Sequence, residues 1–204
     1  MSEIHRVFNF GAGPAVLPEA VLAQVQRDLL ALPGVGMSVL EISHRSPTFT
    51  EIIETTRTNI RELAGLPDDY HVLFTTGGAT QQFAMVPMNL LAPGRTADYI
   101  VTGSWAKKAA QEAKRFGSVH IAANTETEEF TCVPERSELT LSTDSAYVHL
   151  TSNNTIFGTQ WRQIPKLRDR VLIVDASSDI FSEFKTKRVL SLAENCTGCN
   201  WYRR

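Results

Sequence analysis

Residues 72–83 read Val-Leu-Phe-Thr-Thr-Gly-Gly-Ala-Thr-Gln-Gln-Phe. A short apolar run enters Gly77-Gly78 and then a helix-forming stretch that starts near Thr80. A strand, a glycine turn and a helix start leave backbone N–H groups converging on one spot, with the positive end of the helix dipole behind them. That spot suits a phosphate. No Gly-Lys-Ser/Thr follows, so this is not the loop of a nucleoside triphosphate site. The expected anion is the single phosphate of a cofactor or a small substrate.

Three further clusters carry chemistry. Asp175 ends the apolar run 171–174, where a carboxylate is partly desolvated and needs a cationic or hydrogen-bonding partner. A protonated ring nitrogen would serve, and the carboxylate would raise that nitrogen's pKa. A helix N-cap, with Ser177 and Ser178 following, is the equal alternative. Trp105 follows Gly103-Ser104, where an indole can stack on a planar ring or fill a core. Thr155 follows Ser152-Asn153-Asn154 and can donate to a ring oxygen or end a turn. Together these groups ask for a flat, phosphorylated, nitrogen-containing ring.

The elements that must position them are legible from periodicity. A helix is expected from near Pro18 to Pro33-Gly34, with Val21, Leu22, Val25, Leu29 and Leu32 on one face. A second starts at Ser46-Pro47, carries the stripe Phe49, Ile52, Ile53, Thr56, Ile60 and Leu63, and stops at Gly65. Strand 72–74, helix 80–91, a Pro93-Gly94 turn, strand 99–101 and helix 106–116 follow. Further strands are expected at 119–122, 147–150 and 171–174. Alternating helices and short apolar strands predict an α/β fold with a mostly parallel sheet. Ligands of such sheets sit beyond the carboxyl ends of the strands. The four clusters each follow a strand, so they should converge on one edge.

The chain has 204 residues, 43% hydrophobic and 21% charged, with a formal net charge of −2. These values are those of an ordinary soluble domain with a sizeable core. They give no general attraction to nucleic acid or to an anionic membrane. No apolar run is long enough to span a bilayer and the N-terminus lacks a signal core, so the cytoplasm is the expected location. The three cysteines are Cys132, Cys196 and Cys199. An odd count argues against a disulfide framework. Cys196-Thr-Gly-Cys199 lacks a second ligand pair, so no metal site is expected.

The chain also resembles the phosphoserine aminotransferase family of class-V, pyridoxal-phosphate-dependent enzymes. The likeness is carried by Asn9 to Pro18 (Asn-Phe-Gly-Ala-Gly-Pro-Ala-Val-Leu-Pro) and by Ser38 to Ser46 (Ser-Val-Leu-Glu-Ile-Ser-His-Arg-Ser). It continues through Gly77 to Leu90, Ala97 to Trp105, and Asp175-Ala-Ser-Ser178, in the family's order, over about residues 9–182. The resemblance implies the aspartate-aminotransferase-like fold (fold type I), here as an incomplete large domain over 1–182. It implies pyridoxal 5'-phosphate as cofactor. Ala79 and Thr80 would hold its phosphate, Trp105 would stack on the ring, Thr155 would bond the ring hydroxyl oxygen, and Asp175 would pair with the pyridinium nitrogen. Arg45 would clamp the carboxylate of L-glutamate and of the product, a task for its forked geometry. His44 would contribute to the substrate's second anion and Ala12 would lie against the substrate. Many members have Arg at position 80, where this chain has Thr80, and Asn154 stands where Glu is common.

The implied reaction takes 3-phosphohydroxypyruvate and L-glutamate to phosphoserine and 2-oxoglutarate, in serine synthesis. A related reaction on a phosphorylated four-carbon keto acid belongs to pyridoxine synthesis. The intact family works as a homodimer. Its lysine, in a segment like Ala-Gly-Ala-Gln-Lys-Asn some two dozen residues beyond the aspartate, carries the cofactor as a Schiff base. Residues 183–204 do not resemble that segment. Lys185 and Lys187 stand in another context and closer to Asp175. The alternative expectation is therefore a truncated, non-catalytic remnant without that lysine or the C-terminal domain, whose tail 183–204 packs poorly.

Overall fold

The structure is a computed structural model that describes residues 6–167, 170–182, 190–193 and 199–203. The chain divides into two compact units, residues 1–60 and 61–204. The first holds α1 (Glu19–Asp28) and most of α2 (Pro47–Leu63). Ser46 Oγ accepts from the Phe49 N–H at 3.2 Å and caps α2, as Ser46-Pro47 predicts. The stripe of α1 remains uncovered. None of its residues is buried, and Val21, Leu22, Val25 and Leu29 are all exposed. Periodicity reports an apolar face, not what covers it.

The second unit is built on a seven-stranded sheet. Its members are β1 (Tyr70–Phe74), β2 (Thr96–Val101), β3 (Ser118–Asn124), β4 (Ser145–Thr151), β7 (Leu172–Asp175), β8 (Leu190–Ala193) and β9 (Cys199–Arg203). A separate two-stranded hairpin is made by β5 (Asn153–Asn154) and β6 (Thr159–Gln160). The sheet order is β1-β9-β8-β7-β4-β2-β3. All neighbours are parallel except β9, which is antiparallel to both β8 and β1. Strands β1, β2, β4 and β7 therefore point the same way. Their carboxyl ends, and the four clusters that follow them, lie on one edge. The mostly parallel α/β expectation holds.

Both sheet faces are covered, which explains why β2, β4 and β7 bury consecutive residues instead of alternating buried and exposed ones. On one face α3 (Ala79–Leu90) and α4 (Ser104–Ala113) bring Phe83, Ala109, Ala110 and Ala113 against Tyr99, Tyr147 and Ile173. On the other, Trp161, Leu139, Leu141 and Ile164 pack on Ile100, Val148, Leu150 and Val174. Small alanines along α4 let that helix lie close to the sheet.

Within the segment expected to pack poorly, the described residues are 190–193 and 199–203. Backbone ladders seat 190–193 and 199–203 between β7 and β1. Sheet hydrogen bonding there needs no large apolar side chain, because it saturates backbone groups that β1 and β7 would otherwise leave open. Lys185, Lys187 and Cys196 lie outside the described residues.

Candidate active site at the strand ends

Gly77 opens the first cluster with φ +78°, a conformation that suits glycine. A Cβ there would meet Gln81 Oε1 at 1.7 Å. Buried Gln82 donates from Nε2 to Thr75 Oγ1 at 2.9 Å and ties α3 to the turn. Gly78 caps α3 without any side-chain bond. The Gly78 carbonyl accepts from Gln81 and Gln82. The N–H groups of Ala79 and Thr80 have no acceptor among the described residues.

Gly103 likewise caps α4 with no side-chain bond. Trp105, second in α4, is 39% exposed, so the indole is presented rather than buried as a core residue. Lys108, one turn on, places Nζ 5.3 Å from the Trp105 ring centroid and donates to Thr80 Oγ1 at 3.4 Å. The two helix N-termini are thereby neighbours.

Asn154 joins α4's cap to the next cluster. Its Nδ2 donates to Thr102 Oγ1 at 3.2 Å and Thr159 Oγ1 at 3.1 Å. Its Oδ1 is buried without a donor among the described residues and stands 2.4 Å from where a Gly103 Cβ would be. Thr155 follows on the exposed turn of the β5–β6 hairpin. A Gly103→Ala substitution would push Asn154 from both hydroxyls. It should cost about 1–3 kcal/mol, as overpacking usually does, read as a lowered thermal midpoint. An unchanged midpoint would contradict this packing.

Asn153 connects the hairpin to the fourth cluster, donating from Nδ2 to Ser178 Oγ at 2.9 Å. Asp175 is buried at the end of β7, only 3% exposed. Its Oδ1 accepts from the Ser177 N–H at 3.2 Å and Ser177 Oγ at 2.6 Å. Asp179, which the sequence did not single out, is buried behind it. It accepts from Ser152 Oγ at 2.5 Å and Gln160 Nε2 at 3.0 Å, and so fixes β4, the hairpin and the Asp175 turn together. The only signal for it was an acid four residues after Asp175.

Thr80, Trp105, Asn154 and Asp175 thus belong to one chain of contacts along one sheet edge. Ala12, His44 and Arg45 lie in the first unit, all exposed. There the Arg45 N–H donates to Ser43 Oγ at 3.2 Å, which shapes the turn ahead of α2. Among the described residues no group of His, Cys, Asp and Glu could hold a metal ion.

A planar ring with an anionic arm fits this edge. Free N–H groups and Lys108 suit the anion, an exposed indole suits the ring face, and a buried carboxylate suits a protonated ring nitrogen.

Residues 7–184 match the model of the class-V aminotransferase family. The chain belongs to that family, whose fold is the pyridoxal-phosphate-dependent transferase fold. Similar proteins include several phosphoserine aminotransferases. One from Alkalihalobacillus alcalophilus is 47% identical over 179 residues, which is 88% of this chain and 50% of that relative. The solved enzyme of Bacillus circulans subsp. alkalophilus matches with TM-score 0.88 and 40% identity, over 96% of this chain and 56% of its own. A pyridoxal-phosphate-bound phosphoserine aminotransferase from Trichomonas vaginalis matches with TM-score 0.83 and 30% identity, over 96% and 57%. The chain spans about half the length of the curated relatives it matches.

Proposed function

We propose that this chain supplies the cofactor cradle of a phosphoserine transaminase, which moves the amino group of L-glutamate to 3-phosphohydroxypyruvate. The observation that carries the reading is Asp175. It is a buried carboxylate at the end of β7, held by Ser177, on the edge that also presents two glycine-capped helix N-termini. When bound, pyridoxal phosphate supplies an electron sink for bond making at the amino-acid α-carbon. The residues of this chain bind and orient it. The Ala79 and Thr80 N–H groups donate to phosphate oxygens. The Trp105 indole covers one ring face and excludes water there. The Asp175 carboxylate would accept a hydrogen bond from the protonated ring nitrogen and keep the proton on the ring, and Thr155 would donate to the ring oxygen. Arg45 clamps the glutamate carboxylate, with His44 and Ala12 beside the substrate.

A phosphorylated four-carbon keto acid is a second substrate of the same chemistry. A cytoplasmic homodimer is the proposed assembly, supported by the uncovered α1 stripe; among the described residues no helix is long and apolar enough to cross a membrane. A second reading, a chain that binds the cofactor without turnover, draws on residues 183–204, which do not resemble the family's lysine segment and hold Lys185 and Lys187 in another context. A coupled assay for glutamate-dependent phosphoserine formation separates the two. Turnover supports the transaminase, binding without turnover supports the remnant, and absence of cofactor binding contradicts both.

A further inference from the structure

Lys107 and Lys108 are adjacent on α4 but differently employed. Lys107 Nζ sits 2.5 Å from Glu126 Oε1, a paired surface charge. Lys108 has an acid four residues on, Glu112, at helical ion-pair spacing. Glu112 instead pairs with Arg115 at 3.3 Å. Lys108 has no carboxylate within ion-pair distance among the described residues. It lies over the Trp105 ring and reaches Thr80 Oγ1 on the neighbouring helix. An ammonium thus stands beside the first turn of α3, where the Ala79 and Thr80 N–H groups are free, while residue 80 itself carries no charge.

We propose that Lys108 is a binding residue of this site, the cation that neutralises a phosphate monoester dianion at the N-terminus of α3. The inference rests on the transaminase reading above. The dianion belongs either to the cofactor or to the phosphorylated substrate. In both cases the ammonium adds a point charge and up to three donors to a cradle otherwise made of backbone N–H groups and one hydroxyl. Its contact over the ring also holds the Trp105 indole in place.

The test uses the 204-residue chain, with Lys108→Met and Lys108→Arg variants checked for unchanged thermal midpoints. Pyridoxamine 5'-phosphate and pyridoxamine are titrated in parallel, because neither has an aldehyde that a lysine can trap. Phosphoserine is then titrated into chain saturated with pyridoxamine 5'-phosphate. Lys108→Met should weaken one phosphorylated ligand about tenfold, leave pyridoxamine unchanged, and be largely rescued by Lys108→Arg. Weakened pyridoxamine 5'-phosphate assigns the charge to the cofactor's phosphate; weakened phosphoserine alone assigns it to the substrate's. Equal affinities of wild type and Lys108→Met for both would overturn the inference, as would an equal loss for pyridoxamine, which marks a merely structural role. If the wild-type chain holds pyridoxamine 5'-phosphate no better than pyridoxamine, the phosphate cradle itself fails, and the inference with it.

Discussion

Asp175→Ala should weaken binding of pyridoxamine 5'-phosphate by roughly 30- to 1000-fold. That range corresponds to the roughly 2–4 kcal/mol lost when one partner of a buried, hydrogen-bonded charge pair is truncated. The carboxylate is buried and its Oδ1 is oriented by two donors from Ser177. Asp175→Asn keeps the shape and an acceptor for Ser177 but removes the charge. It should fall between wild type and alanine. Calorimetric titration of the three proteins checks the order. Equal dissociation constants would mean that Asp175 is a turn-former and nothing more, the N-cap alternative that its sequence context left open.

The second large effect concerns stability and comes from the core behind the site. His149 on β4 is almost wholly buried, stacked on Tyr99 at 4.9 Å and edge-on to Phe83 at 6.1 Å. Neither ring nitrogen has a partner among the described residues. Burial pushes its pKa down to about 3 from the ordinary 6.5. The unfolded chain therefore takes up a proton below pH 6.5 that the folded chain refuses until about pH 3. Stability falls across that window as pH falls, at about 1.4 kcal/mol per pH unit from this one group. Urea denaturation at pH 7 and pH 5 should show wild type losing about 2 kcal/mol more than His149→Leu. Identical losses would show that the imidazole finds a proton-stabilising partner on folding.

The sequence revealed the site's scaffold because that scaffold is made of long, strongly patterned pieces. Ser46-Pro47 marks the start of α2, Gly78 the start of α3, and the runs before Thr102, Ser152 and Asp175 mark parallel strands buried on both faces. Their common edge follows from connectivity alone. What stayed hidden rests on pairs distant in the chain or on pieces too short for periodicity. The β5–β6 hairpin has two residues per strand. Strand β8 is four residues of Leu-Ser-Leu-Ala, and its partner β9 is recognisable only beside it. Asp179 looks like any surface acid until Ser152 and Gln160 are seen against it. Lys108 sits at the i+3 position from Trp105, so its reach over the indole could have been read from helical spacing; its contact with Thr80 could not. The fate of the α1 stripe was also beyond reach, since an amphipathic pattern specifies an apolar face without naming its neighbour.

The central claim is that four strand-end clusters, far apart in sequence, form one cofactor site. Amide hydrogen exchange with and without pyridoxamine 5'-phosphate tests it most directly. The ligand should slow exchange together in the peptides covering 75–83, 103–110, 152–160 and 175–182. The turns on the opposite sheet edge, at 91–96 and 142–146, should be unchanged. Protection confined to one cluster, or shared equally by the two edges, would contradict a single site at the carboxyl ends of these strands.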